Sequence, residues 1–289
     1  MLKLMKNYIF DKMFRLILFL FFQQRGAIVN SFKSITSPNE LKLQKSKVMQ
    51  SRVEEFRSLI YPIIVKTEKL KRYGSVGDGG YVLPINAVDK SKFLISGGIE
   101  NNNDFEVNLA RLGIIGIQID NSIDKPPIFH KNLSFIRATL GNSHEVDIDG
   151  LIARFGASAK GILKLDIEGA EYSVLNSLKD LDKFNAITVE FHNLYKISED
   201  NFWNIFKSIL VKLRKYHGVV FIAPNNCCGY TILGGFPIPN VMEITFAKKS
   251  LVNGKIVKNT KFLHPKKMQS NYADDAALDI SAFFPDLIY

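Results

Sequence analysis

Residues Gly161–Leu175 read GILKLDIEGAEYSVL. A short strand-like run, Gly161–Asp166, passes abruptly into three carboxylates within six positions: Asp166, Glu168 and Glu171. The run is too short for a helix and is closed by Gly169, so it reads as a buried strand entering a turn. The segment AEYSVLNSL behind it repeats apolar residues at helical spacing. Asp166, following ILKL, lies beside buried surface and needs a partner. Glu171 falls in the first helical turn, where it complements the helix dipole, and is expected to be only a helix-start charge.

Working outward, the same alternation recurs. FLIS (93–96), IIGIQID (114–120), LSFIRATL (133–140), AITVEFH (186–192), GVVFIAP (218–224) and VMEITFAKK (241–249) read as strands. NDFEVNLARLG (103–113), VDIDGLIARFG (146–156) and the long amphipathic stretch 198–217 read as helices. The order β-α-β-β-α-β-α-β-α-β predicts an α/β fold: a mostly parallel central sheet with helices on both faces. Ligands in such sheets bind outside the carboxyl ends of the strands, so those ends are where chemistry is sought.

After the first strand, Gly97 and Gly98 permit a tight turn, and the next helix directs its amides at the same place. The stretch is neither G-x-G-x-x-G nor a P-loop. Glu100 and Glu106 would repel a pyrophosphate but tolerate an aminoacyl ammonium group. The second strand ends in Asp120, about 20 residues after the turn, a spacing suited to two ribose hydroxyls. The fifth strand ends in VEFHN, with Glu190 and His192 on one face. A histidine there suits a general base. Glu190, His192 and Asp166 could also hold a divalent metal, although their spacing does not fix one.

Composition bounds the rest. The 289 residues are 46% hydrophobic and 23% charged, an ordinary globular balance. The two cysteines, Cys227 and Cys228, are adjacent, which excludes an ordinary disulfide framework and points to a reducing, cytoplasmic compartment. The net charge of +10 belongs to the N-terminal quarter: residues 1–72 hold 15 basic and 5 acidic residues, the remainder 23 of each. A nucleic-acid enzyme spreads basic charge around its cleft, so no nucleic-acid partner is expected. FRLILFLFF (14–22) has only seven uncharged residues in a row, far short of a span of about 20. With Lys3, Lys6, Lys12 and Arg15 it fits an interfacial helix, so residues 1–25 are expected to make peripheral contact with an anionic membrane at its inner face. Packing on this or another subunit is the alternative. Residues 1–49 thus form a basic extension, helix plus linker, ahead of a domain over 50–289 with its core at about 70–250. Val53, Phe56, Leu59, Ile60, Ile63 and Ile64 give that domain an opening helix, with a kink or boundary near Tyr61 set by Pro62.

LKLDIEGAEYSVL closely resembles the signature of the FkbM-type methyltransferases. RYGSVGDGGYVLP (72–84), LISGGIENNNDFEVNLARLGIIGIQID (94–120), VEFHNL, PNNCCG and VMEITFAKK resemble further parts of that family in the same order. The resemblance covers about residues 70–250. It implies a Rossmann-like methyltransferase fold and S-adenosyl-L-methionine as cofactor. It further implies O-methylation of a sugar hydroxyl on a glycan, nucleotide sugar or related small-molecule acceptor. Asp78, Gly79, Gly80 and Tyr81 would close over the cofactor, Gly97, Gly98 and Glu100 would line its methionine side, and Asp120 would hold its ribose. Asp166 and Glu168 would face the methionine portion or the acceptor, with His192 or Asp166 as base. One departure stands out: relatives often carry histidines before the NN pair, where this chain has Phe221 and Ala223. A NAD(P)-dependent oxidoreductase and a catalytically silent partner in glycan assembly stay open as other readings.

Overall fold

The computed structural model describes residues 46–62, 70–141, 146–225 and 228–252. All of these belong to one compact unit, Leu43–Tyr289. The proposed interfacial segment 1–25, and Ile63, Ile64, Asn226 and Cys227, lie outside the described residues. Among the described residues no helix is long and apolar enough to cross a membrane.

Helix α1 (Lys47–Ile60) opens with Ser46 Oγ accepting from Met49 N at 3.1 Å and buries Met49, Val53, Phe56 and Ile60. Tyr61 takes an extended ψ of 125°, as a residue before proline must, and the helix ends there. Strands β1 (Leu70–Gly74) and β2 (Gly80–Pro84) form an antiparallel hairpin, followed by helix α2 (Ile85–Asp89). Next come β3 (Phe93–Gly97), α3 (Asp104–Arg111), β4 (Ile115–Ile119), β5 (Leu133–Ile136), α4 (Ile148–Arg154), β6 (Gly161–Leu165) and α5 (Glu171–Ser177). Then follow β7 (Phe184–Phe191), α6 (Asp200–Tyr216), β8 (His217–Pro224), a hairpin of β9 (Tyr230–Leu233) and β10 (Phe236–Pro239), β11 (Met242–Lys248) and α7 (Lys249–Val252).

Seven strands form the central sheet in the order β5-β4-β3-β6-β7-β11-β8. The pairs β5–β4, β4–β3, β3–β6 and β6–β7 are parallel, and β11 runs antiparallel between β7 and β8. This is the expected α/β architecture, with the strand order reversing between β3 and β6. Successive residues of the central strands enter opposite layers. Ile95, Leu163 and Ile187 join the core beneath α1, α4, α5 and α6, while Leu94, Ile162 and Ala186 join the one beneath α2, α3 and the β1–β2 hairpin. Both faces are therefore covered, which is why these strands lack the polar alternation of a half-exposed sheet. Phe206 of α6 knits the larger layer together, its ring 5.4 Å from Phe56, 5.2 Å from Tyr172 and 5.1 Å from Phe191.

At the reversal point the chain is pinched. Gly98 has φ +74°, and a Cβ there would lie 1.6 Å from the carbonyl oxygen of Asp166. Asp166 N in turn donates to Gly97 O at 3.1 Å. Gly113 shares the left-handed backbone at φ +90° but has nothing within 4 Å of a built Cβ. Gly113→Ala should therefore cost only the left-handed strain, roughly 1 kcal/mol, whereas Gly98→Ala adds a backbone clash worth about 3 kcal/mol or more. Urea unfolding of the two variants checks this; equal losses would show that the pinch yields. A second prediction concerns His217, fully buried with Nε2 2.8 Å from Phe184 O. Burial holds its imidazole below the usual value near 6.5. Its folded pKa lies under the unfolded one, so stability is full above about pH 6.5 and falls as the pH drops below it. His217→Gln should flatten the acid side of a plot of urea midpoint against pH.

Candidate active site

The turn after β3 is built around one carboxylate. Asp120, at the tip of β4, accepts from Ile99 N at 2.7 Å and Glu100 N at 2.9 Å through Oδ2. Its Oδ1 accepts from Ser122 N at 2.7 Å and Ser122 Oγ at 2.6 Å. Burial pushes this carboxyl up, but the hydrogen bonds from Ser122 and the turn amides outweigh it and hold the pKa below the ordinary value. Asp120 thus clamps the glycine turn to the neighbouring strand. Of the two glycines, Gly98 faces the cavities, while Gly97 faces the core, where a Cβ would meet Leu140.

A wall comes from the β1–β2 hairpin, which sequence patterning alone did not reveal. Asp78, Gly79 and Tyr81 line a cavity of about 400 Å³, and Gly80 sits behind them against Ser75 O and the Arg72 guanidinium. Arg72 braces the hairpin tip by donating to Ser75 O and Gly77 O. Asn102 Nδ2 ties the tip to the glycine turn, donating to Ser75 Oγ at 2.9 Å and Asp78 O at 3.0 Å. Tyr81, edge-on to Phe105 at 5.0 Å, donates its hydroxyl to Asp166 Oδ2 at 2.7 Å. Burial and the Asp166 charge raise the Tyr81 phenol well above 10, so it remains a donor.

The opposite wall is the end of β6 and β7. Lys164 donates to Gly98 O and lies 3.8 Å from Asp166 Oδ2. Glu106, expected to face a ligand, is instead buried below this floor, where Ser96 Oγ donates to it. Phe105 and Glu106 of α3 are both buried, and the Ser96 hydroxyl of β3 supplies the partner that a buried carboxyl needs. Glu171 also differs from expectation. It does begin α5, but its side chain is fully buried. Its Oε2 accepts from Gly169 N and its Oε1 from His192 N, each at 2.8 Å. One carboxylate therefore fastens the turn after β6 to the tip of β7.

Two adjoining cavities result, one of about 400 Å³ and one of about 280 Å³. They share Gly98, Glu100, Asp166 and Glu168 in their walls. The larger holds Lys164, Glu190, His192 and Asn225; the smaller holds Asp120, Ser122, Thr139 and Leu140. Asp166, Glu168 and His192, from two different strand ends, come together with ligand atoms all within 4.8 Å of one another. Asp166 and Glu190 stand in the same cavity wall, and Asn225 Nδ2 donates to Glu190 Oε1. Burial works against ionisation of Asp166, but the Lys164 charge and the hydrogen bonds from Glu190 and Tyr81 hold its pKa below the ordinary value. Burial and the neighbouring Asp166 push the Glu190 carboxyl well above its ordinary value. At His192 burial pulls downward, yet Glu171, Glu190 and Glu168 together raise the imidazole to about 9. Of the two expected bases, Asp166 is thus the ionised one through neutral pH. Lys164 went unnoticed in the sequence, although a lysine two residues before Asp166 inside a buried strand was the available signal.

The chain matches the model described as the methyltransferase FkbM domain over residues 75–220, a span that includes the hairpin tip, the glycine turn, Asp120, Asp166 and His192. No curated protein matches significantly. Solved structures with some likeness include a ribosomal RNA methyltransferase from Plasmodium falciparum, 13% identical at TM-score 0.33, covering 58% of this chain and 90% of that one. Another is precorrin-6y C5,15-methyltransferase from Geobacter metallireducens, 9% identical at TM-score 0.32, covering 57% and 87%. A third is the 16S rRNA (adenine(1408)-N(1))-methyltransferase from Catenulisporales acidiphilia, 10% identical at TM-score 0.30, covering 64% and 98%. At such scores none of them bears on what this chain acts upon. The family match covers half of the chain, on the residues that build the cleft, and the chain belongs to the FkbM methyltransferase family.

Proposed function

We propose that this chain is an S-adenosyl-L-methionine-dependent O-methyltransferase acting on a hydroxyl of an uncharged sugar or glycan. The observation that carries the reading is the pair of adjoining cavities at the point where the strand order reverses, with Gly98, Glu100, Asp166 and Glu168 in their common wall. S-adenosylmethionine supplies an electrophilic methyl group on a sulfonium. The smaller cavity suits its adenosine half: Asp120 for the ribose, with the rotatable Ser122 hydroxyl the donor that gives way, and Leu140 and Ile167 for the base. Gly98, Glu100 and Glu168 suit the methionine half, their carboxylates facing its positive charges.

The larger cavity suits the acceptor. Its wall carries Asp78, Glu100, Asp166, Glu168 and Glu190 against Lys164 and His192. That excess of acid repels phosphates, which favours a neutral sugar over a nucleotide sugar, a dinucleotide or a nucleic acid. In the transfer the acceptor oxygen forms its bond to the methyl carbon as the sulfur–carbon bond breaks, leaving a neutral thioether. Asp166 takes the hydroxyl proton through Oδ1, since Oδ2 is held by Tyr81. Most of the rate comes from holding the two reactants in line. The basic extension over residues 1–25 would bring this chemistry to a membrane's inner face.

Calorimetric titration with S-adenosylhomocysteine tests the reading, and no heat from a folded sample would overturn it. Asp120→Ala should weaken that binding by about tenfold or more. Asp166→Asn should leave it within a few-fold while lowering methyl transfer by about 100-fold.

A further inference from the structure

We infer that Asp166, Glu168 and His192 form a binding site for one divalent transition-metal cation in the wall of the larger cavity. The site is built from two strand tips, and its donor set is mixed rather than simply acidic. His192 Nε2 lies 3.4 Å from Glu168 Oε2 and 3.9 Å from Asp166 Oδ1. A cation with bonds of about 2.1 Å in octahedral geometry needs neighbouring donors roughly 3 Å apart and opposite donors roughly 4.2 Å apart. The two separations from His192 fall between these limits, and all three donors lie within 4.8 Å of one another. Glu168 is 74% exposed at the side chain and sits on a left-handed backbone, φ +53°, that projects it from the turn. It can therefore close the remaining distance by rotation alone.

The second observation is the histidine itself. Its side chain is only 10% exposed, and its Nε2 is aimed among three carboxylates at 3.4 to 3.9 Å. Its other nitrogen, Nδ1, is buried with no hydrogen-bond partner among the described residues and lies 3.4 Å from the buried Glu171 Oε1. A carboxylate behind a histidine orients the ring and raises its donor strength, the usual support of a metal-ligating imidazole. Glu171 can do this because its other oxygen is anchored on Gly169 N. Asp166 is oriented in the same sense: Tyr81 and Lys164 attend to Oδ2, and Oδ1 lies 3.9 Å from His192 Nε2. Imidazole with carboxylates selects manganese, iron or zinc over magnesium or calcium, which prefer all-oxygen sites. An acceptor hydroxyl bound to such an ion would lose its proton more readily, easing the demand on Asp166.

The site shares Asp166 and Glu168 with the methyl-transfer reading, but its test contains neither cofactor nor acceptor. Full-length protein is titrated with manganese(II) alone, following loss of the free-ion electron paramagnetic resonance signal. Saturable binding of one ion per chain is expected, at roughly micromolar concentrations. Glu168→Gln, an exposed change that leaves the fold intact by circular dichroism, should weaken binding by roughly tenfold or more. His192→Gln should weaken it further, and Asp124→Asn, in an exposed pair with Arg137, should change nothing. The inference is overturned by absence of saturable binding into the millimolar range. It is equally overturned by an affinity that ignores Glu168→Gln and His192→Gln, or follows Glu100→Gln instead. Calorimetric titration with S-adenosylhomocysteine on the same sample reports on the methyl-transfer reading separately.

Discussion

The whole cleft hangs on the contact between Gly98 and the carbonyl of Asp166. Parallel strands β3 and β6 are neighbours in the sheet, and their ladder continues past the last strand residue through Asp166 N and Gly97 O. Any side chain at position 98 would push the two strand ends apart. Because they stay together, the turn amides of Ile99 and Glu100 reach Asp120, and the Lys164 ammonium reaches Gly98 O. The same closeness puts two cavities side by side with a common wall instead of one broad groove.

Backbone strain follows the same geography. Among the described residues, the non-glycine positions with positive φ are Glu100, Glu168 and Asn193, at 40°, 53° and 57°. They lie beyond the ends of β3, β6 and β7, around a single opening. Two are glutamates, which gain nothing from that conformation, at a cost of order 1–2 kcal/mol each. The surrounding hydrogen bonds hold them there, and in both cases the result is a carboxylate projected into the cavity wall. Strain gathered at strand tips in this way is typical of positions where ligands are met.

Much of this architecture was legible in the sequence. The strands β3, β4, β6, β7, β8 and β11 and the helices α3, α5 and α6 show themselves through runs and periods of residues that both core layers require. Asp166 and His192 were visible because a charged group directly after an apolar strand has few explanations. The hairpin β1–β2 was hidden, since its role depends on Tyr81 reaching Asp166 across 85 positions of chain. Glu171 was misjudged for a related reason. Its spacing announced a helix start, and nothing local could reveal that the amide of His192 would seek it from another strand. Glu106 likewise reads as an acid facing a ligand until the sheet supplies Ser96 beneath it.

Glu171 has one further consequence. Packed side chains leave the spacing between neighbouring strand tips free to relax by tenths of an ångström as a core breathes. Here the amides of Gly169 and His192 are each bound to a different oxygen of the same carboxyl group. The gap between the acidic turn and the imidazole is then measured off by a rigid, planar, covalent fragment. The working dimension of that wall is inherited from bond lengths, which do not vary with temperature or with the looseness of the core around them.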